Sequence, residues 1–279
     1  MDEPVEQVPC AWQPITPRGV AGFARAPLRR LWLVQVIVAL AVAGVGVCCL
    51  RSAWFPTITE AVAGLPEQGE IRSGALNWMG DSPVMLAEGR FLAMAVDLEH
   101  EGEARSPADV QVEFGRRDIE LFSLLGFVRF AYPARGAWAF NRTELAPWWG
   151  AWRPAVLAVT AAVVVLGLTA SWALLASLYC LVPWVLAFFG DRELDLRASW
   201  RLAGAALMPG ALVFAAGIAA YGLGLFDLVK LGGIGAAHLV VGWIYLIWCP
   251  FALPRRPKAG EAKANPFGTP AKENVEAKP

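Results

Sequence analysis

Few residues in this chain have the types and spacing that chemistry needs, and most of them fall in one polar stretch. The acidic run "DLEHEGE", residues 97–103, sets His100 among carboxylates. Such a run can attract a cation, while its plainer reading is a solvated loop. Glu113 and Asp118, and Asp97 and Glu99, are carboxylates close enough in sequence to suggest acid–base pairs, although proximity alone makes them only neighbours. The other histidine, His238, falls at the start of an apolar run, where a neutral ring at an interface is expected. No Cys/His group has metal-ligand spacing, so no metal ligand and no structural zinc are expected. There is no G-x-S-x-G, no Walker loop, no H-E-x-x-H and no paired-glycine fingerprint. No catalytic residue, no cofactor-binding residue and no cofactor are therefore expected, and the chain reads as a non-enzyme.

Whatever these residues do must be positioned by an unusually apolar chain. Of 279 residues, 57% are hydrophobic and 17% charged, and the formal net charge is zero. Soluble domains carry about a quarter charged residues, and spans need about 20 mostly apolar residues each, so a polytopic membrane protein is the class that fits. A neutral chain offers no field for nucleic acid, and the lipid bilayer is the partner expected first. Cys48, Cys49, Cys180 and Cys249 lie in apolar runs and Cys10 in the N-terminal tail, so no disulfide framework is expected in the polar middle region.

Four transmembrane helices are predicted, at residues 31–50, 154–190, 200–221 and 236–253. Arg18, Arg25, Arg29 and Arg30 precede the first, which places the N-terminus inside. The run is longer than a signal-peptide core and ends in Cys-Cys-Leu-Arg rather than at a cleavage site, so it is expected to stay. Residues 154–190 carry no charge; as one helix they would reach about 55 Å against a hydrocarbon core of about 30 Å. One crossing that continues into the cytoplasm, kinked near Pro183, leaves Arg192, Arg197, Arg201 and the later "RRPK" inside, whereas a tight hairpin would put them outside. The third span contains Pro209-Gly210, and its small residues Ala211, Ala215 and Ala219 suit close helix contact. Residues 1–30 and 254–279 read as disordered cytoplasmic tails, 191–199 as a cytoplasmic loop and 222–235 as an outer loop. The expected location is the inner (cytoplasmic) membrane, with both termini cytoplasmic.

Residues 51–153 then form an extracytoplasmic domain, lysine-free and patterned for strands. "GEIRSGALNW" and "SPVMLAEGRFLAMAVDL" read as extended segments, the second folding back at Glu88-Gly89. "DVQVEF" alternates, with Val110, Val112 and Phe114 on one face, and "DIELFSLLGFVRFAYP" reads as a hairpin turning at Leu125-Gly126. The fold class expected is a four-helix membrane bundle with a small β-rich domain, roughly residues 69–132, inserted between helices 1 and 2.

Two groups stand out as interface or membrane-boundary candidates. Trp148, Trp149, Trp152 and Arg153 cluster in "APWWGAWRP", just before the second run, with Pro154 expected at the first helical position. Tryptophan concentrates at bilayer interfaces, so the cluster reads first as one post of an aromatic belt and second as a grip on a partner. Arg197 and Arg201, four apart ahead of the third span, read as headgroup arginines or as a cytoplasmic docking surface.

With its single N-terminal span, the outer opening "LPEQGEIRSGAL", a charge-free second run and "GDRELDLRASWRLAGAALMP" entering the third span, the chain resembles a family of bacterial integral membrane proteins. Some Gram-positive genomes carry its members as maltodextrin-utilisation proteins. The rear half is also similar to a Yip1-like membrane bundle. The resemblance implies topology and brings no chemistry with it. The function expected is a non-enzymatic envelope binding, scaffold or sensing component that uses its outer domain, in contact with another membrane or envelope protein. The alternative is a transporter or an accessory subunit of one, for carbohydrate among other solutes.

Overall fold

The structure is a computed structural model and describes residues 12–124 and 126–256. Among these residues four helical stretches are long and apolar enough to cross a membrane: Leu28–Ala63, Arg142–Tyr179, Leu196–Gly222 and Leu228–Ala252. Two β-sheets occupy the sequence between the first and the second.

The first departure from expectation is at the N-terminus. Helix α1 (Pro17–Gly22) is capped by the Thr16 hydroxyl, which accepts from the Gly19 N–H at 3.2 Å, and it begins with Pro17. Val20 and Phe23 are fully buried, and Ala21, Ala24 and Ala26 nearly so. They share one core with Ala187, Leu202 and Leu253 from distant parts of the chain, so residues 12–30 are folded where a disordered tail is expected. Their apolar side chains acquire a surface to bury against only once the long helices have assembled. Residues 1–11 of the expected N-terminal tail and 257–279 of the C-terminal one lie outside the described residues, as does Leu125 at the expected hairpin turn.

Helix α2 (Leu28–Cys49) runs through a wide π turn (Leu50–Trp54) into α3 (Phe55–Ala63), well past the expected end at residue 50. The π turn sits just ahead of Pro56, which has no N–H to give the helix. Helix α4 spans Arg142–Tyr179, with Pro147 and Pro154 inside it; Pro154 is not the first helical residue. The start is set instead by Asn141, whose side-chain oxygen accepts from the Glu144 N–H at 3.0 Å, while its side-chain nitrogen donates to the Gly69 carbonyl. The expected continuation to residue 190 is interrupted at Cys180, where α5 (Leu181–Phe189) takes over. Pro183 cannot donate to the Tyr179 carbonyl, and a helix breaks there. Pro209 likewise divides α6 (Leu196–Ala206) from α7 (Met208–Gly222). Helix α8 (Leu228–Trp248) begins earlier than expected because Asp227 caps it, accepting from the Lys230 N–H at 2.8 Å.

The helices pack α2 against α4 and α7, α4 against α6, and α7 against α8. A Cβ added to Gly210 would lie 2.5 Å from the His238 carbonyl oxygen, so glycine there lets α7 and α8 approach backbone to backbone. Gln35 of α2 is buried and donates to the Gly204 carbonyl at 3.1 Å, which satisfies a polar group inside an apolar bundle. Large apolar side chains such as Val163, Leu166 and Leu174 of α4 face outward.

In the β part, β1 (Gly69–Arg72) and β2 (Ala75–Trp78) form a hairpin, and β8 (Ala137–Ala139) pairs with the other edge of β1. The second sheet has the order β3 (Val84–Glu88), β4 (Leu92–Val96), β5 (Val110–Phe114), β6 (Asp118–Ser123), β7 (Gly126–Ala131). Its pairs are antiparallel except β4 with β5, which run parallel. Alternation puts Val96, Val112, Phe114 and Ile119 on the face that packs with Leu65, Leu76 and Phe140. The opposite face carries Gln111, Glu113 and Glu120. Parallel neighbours cannot be joined by a tight turn and need a crossover of a dozen residues or more. Residues 97–109 make that crossover across the polar face.

Candidate functional site

The parallel pairing of β4 with β5 is what builds the site. Glu113 and Glu120 are directly opposite each other in the β5–β6 register, and both are buried, Glu113 completely. Two carboxylates opposed in this way repel, and burial magnifies the cost. The crossover supplies the compensation. It places His100, in a left-handed backbone conformation with φ 55°, over the pair. His100 Nδ1 lies 2.6 Å from Glu113 Oε1 and 3.6 Å from Glu120 Oε2, while Nε2 lies 2.7 Å from Asp118 Oδ1. Arg129 of β7 pairs with Glu120 and reaches toward Asp118.

Around this centre the crossover is pinned at several points. Gln111 donates to the Ala104 carbonyl at 2.7 Å and accepts from the Ser106 N–H at 2.9 Å; its side-chain nitrogen also lies 3.2 Å from Glu113 Oε2. Buried Asp97 accepts from the Gly102 N–H, and the Arg105 guanidinium sits 3.9 Å above the Phe122 ring. Gly115 makes room for the ring: a Cβ there would lie 2.1 Å from His100 Nε2, so a larger residue would displace the imidazole. The Tyr132 hydroxyl donates to the Gly115 carbonyl, and its pKa is driven well above the usual phenol range by burial and by the Asp118 charge.

The same surroundings act on His100. Desolvation opposes its charged form, but hydrogen bonds to Glu113 and Asp118 and the charges of Glu120 and Glu113 prevail, so its pKa is raised above the ordinary value of about 6.5. Protonated His100 therefore stabilises the fold fully below about pH 6.5, and that contribution disappears as pH rises through the higher folded-state value. Thermal melts in chelator-treated buffer should show stability falling through this window, and a His100→Gln variant should lack the step. A step of equal size in the variant would show that another group is responsible.

The crossover also links the site to the helices. Its last residue, Asp109, accepts from the Tyr221 hydroxyl at the end of α7 at 2.8 Å. Arg90, just ahead of β4, donates to the Gly224 and Phe226 carbonyls at 2.7 and 3.2 Å, and Phe91 packs edge-on against Tyr221 with ring centroids 4.8 Å apart. The loop between α7 and α8 is thus tied directly to the β part.

The tryptophan candidates divide between two faces of α4. Trp148 and Trp152 are exposed and stacked on each other, with centroids 5.9 Å apart. Trp149 and Arg153, also four apart, turn inward: the Trp149 indole N–H and an Arg153 Nη both donate to the Thr59 hydroxyl, and Trp149 packs edge-on against Phe55. Arg197 is exposed, and Arg201 donates to the Ala26 carbonyl at 3.0 Å. Neither group adjoins the His100 cluster.

Sequence spacing does not bring this cluster together, because its members come from a loop and two strands. One usable signal was present. Period-two alternation puts Glu113 on the polar face of "DVQVEF", and the short 115–117 turn then sets it opposite Glu120.

No family model, curated protein or solved structure matches this chain.

Proposed function

We propose that the chain is a non-enzymatic sensing component of the inner membrane, with four spans and both termini in the cytoplasm. Its β part lies in the extracytoplasmic space and reports the state of the His100 cluster to the spans. The orientation is supported by the end of the bundle opposite the β part, which gathers Arg25, paired with Glu193, together with Arg192 and Arg201, bound to the Leu253 and Ala26 carbonyls. Basic residues concentrate on the cytoplasmic side of membrane proteins. The outward apolar face of α4 suits lipid and would be a liability in water. Exposed Trp148 and Trp152 then sit at the outer interface, while Trp149 and Arg153 fasten the second span to α3.

One observation carries the sensing reading: the segment that closes over the buried cluster ends on Asp109, which is hydrogen-bonded to a span through Tyr221. A rearrangement of the crossover that displaces Asp109 strains or breaks that contact, and this is the route by which the site would act on the outer ends of α7 and α8. The test is hydrogen exchange of the full-length protein in lipid nanodiscs. His100→Ala should speed exchange in β5 and β6 and also in the α7–α8 loop. Adding Arg90→Ala and Tyr221→Phe should confine the change to the β part. Confinement to the β part with Arg90 and Tyr221 intact would overturn the proposal.

A further inference from the structure

We propose that His100 Nδ1, Glu113 Oε1 and Glu120 Oε2 form a binding site for one divalent transition-metal cation of the manganese-to-zinc series. This names the ligand of the site already described and rests on the sensing reading only for its consequence in the spans. One ligand atom from each of His100, Glu113 and Glu120 lies within 4.8 Å of the others. Cation–ligand bonds of about 2.0–2.2 Å place tetrahedral ligand atoms roughly 3.4 Å apart. Glu120 Oε2 already stands 3.6 Å from Nδ1, close to that spacing, while Glu113 Oε1, now 2.6 Å from Nδ1, must draw back to admit the cation.

Three further observations point to a cation. The two glutamates are almost completely buried, unlike the solvated acidic groups common on protein surfaces. The three carboxylates Glu113, Glu120 and Asp118 face one permanent cation, Arg129, and a protonated His100 leaves the cluster with one uncompensated negative charge. A divalent cation beside neutral His100 brings the total to zero. Lastly, Nε2 is bonded to Asp118 Oδ1, which does not ligate, giving the carboxylate–histidine–metal relay that fixes the ring and its tautomer. The cation takes the place of the Nδ1 proton, which leaves to solvent.

The donor set decides the class. Calcium takes six to eight oxygens and magnesium keeps an oxygen octahedron, whereas one imidazole with two carboxylates suits manganese, iron, cobalt or zinc. Three protein ligands leave room for water or for a further ligand from the outer compartment.

The experiment uses the full-length protein in detergent, with its affinity tag removed and stripped with chelator. Titration with Zn2+ and with Mn2+, followed by calorimetry and by metal content after desalting, should give one equivalent per chain. Ca2+ and Mg2+ should not compete at equal concentration. Cobalt should give a visible absorption spectrum of nitrogen–oxygen coordination. Glu113→Gln should abolish stoichiometric binding. Two variants keep every ligand and guard against misfolding: Asp118→Asn should weaken binding roughly 10–100-fold by releasing the ring, and Gly115→Ala should weaken it by displacing His100. Absence of stoichiometric binding overturns the site, as does binding unchanged in Glu113→Gln and Asp118→Asn. Stoichiometric binding that leaves exchange in the α7–α8 loop unchanged upholds the site and overturns the sensing reading. No binding, with coupling through Tyr221 intact, does the reverse.

Discussion

His100→Ala should destabilise the chelator-treated protein by about 3 kcal/mol, the loss expected when one partner of a buried charged group is removed. The substitution leaves Glu113 and Glu120 opposed across the β5–β6 ladder with only Arg129 to offset them, and Arg129 bonds Glu120 rather than Glu113. The cause is tested by a cycle. Glu113→Gln in the His100→Ala background should recover most of the loss, because the amide removes the charge that lacks compensation. If the two substitutions are simply additive in chemical unfolding followed by circular dichroism, the electrostatic account of the cluster is wrong.

Phe23→Ala should cost about 3–5 kcal/mol, the usual range for deleting a fully buried aromatic ring. Phe23 has no exposure at all and lies in the same core as Leu202 and Leu253. A tail that did not pack would tolerate the change within about 0.5 kcal/mol. Thermal unfolding in detergent separates the two outcomes, and limited proteolysis adds a local readout. The variant should become cleavable near Arg25, between α1 and α2, before the long helices unfold. Protection equal to that of the unchanged protein would mean that residues 12–30 are held by something other than this ring.

Both predictions concern residues whose importance cannot be read along the chain. Phe23 stands in a stretch with prolines and arginines, and its local composition matches a solvated tail. Only the arrival of Ala187, Leu202 and Leu253 gives it a surface. His100 belongs to an acidic run that looks solvated, and Glu113 to an alternating strand whose polar face looks like a water face. A crossover that lies over that face makes it an interior. Glu113 and Asp118 were legible as close carboxylates, yet the partner that matters most to Glu113 in the sheet is Glu120.

What the sequence by itself determined was everything carried by local patterning. Long uncharged runs specify four helices of membrane-spanning length, because a helix satisfies its own backbone and needs only apolar side chains around it. Period-two alternation specifies the strands, and Glu88-Gly89 marks the turn between β3 and β4, since each depends on neighbours a few residues away. Helix bounds were less legible. Pro154 looked like a start, but the contacts of Trp149 and Arg153 with α3 hold three further turns ahead of it. Only the tertiary structure decided that β4 and β5 run parallel. That pairing is long-range, and its stability comes from the packed face rather than from any local signal. From it follow the crossover, the burial of two opposed glutamates, the placement of His100 over them and the bond from Asp109 to Tyr221. The site exists because a non-local strand pairing folded a polar loop over a polar strand face, and no property of either segment alone contains that result.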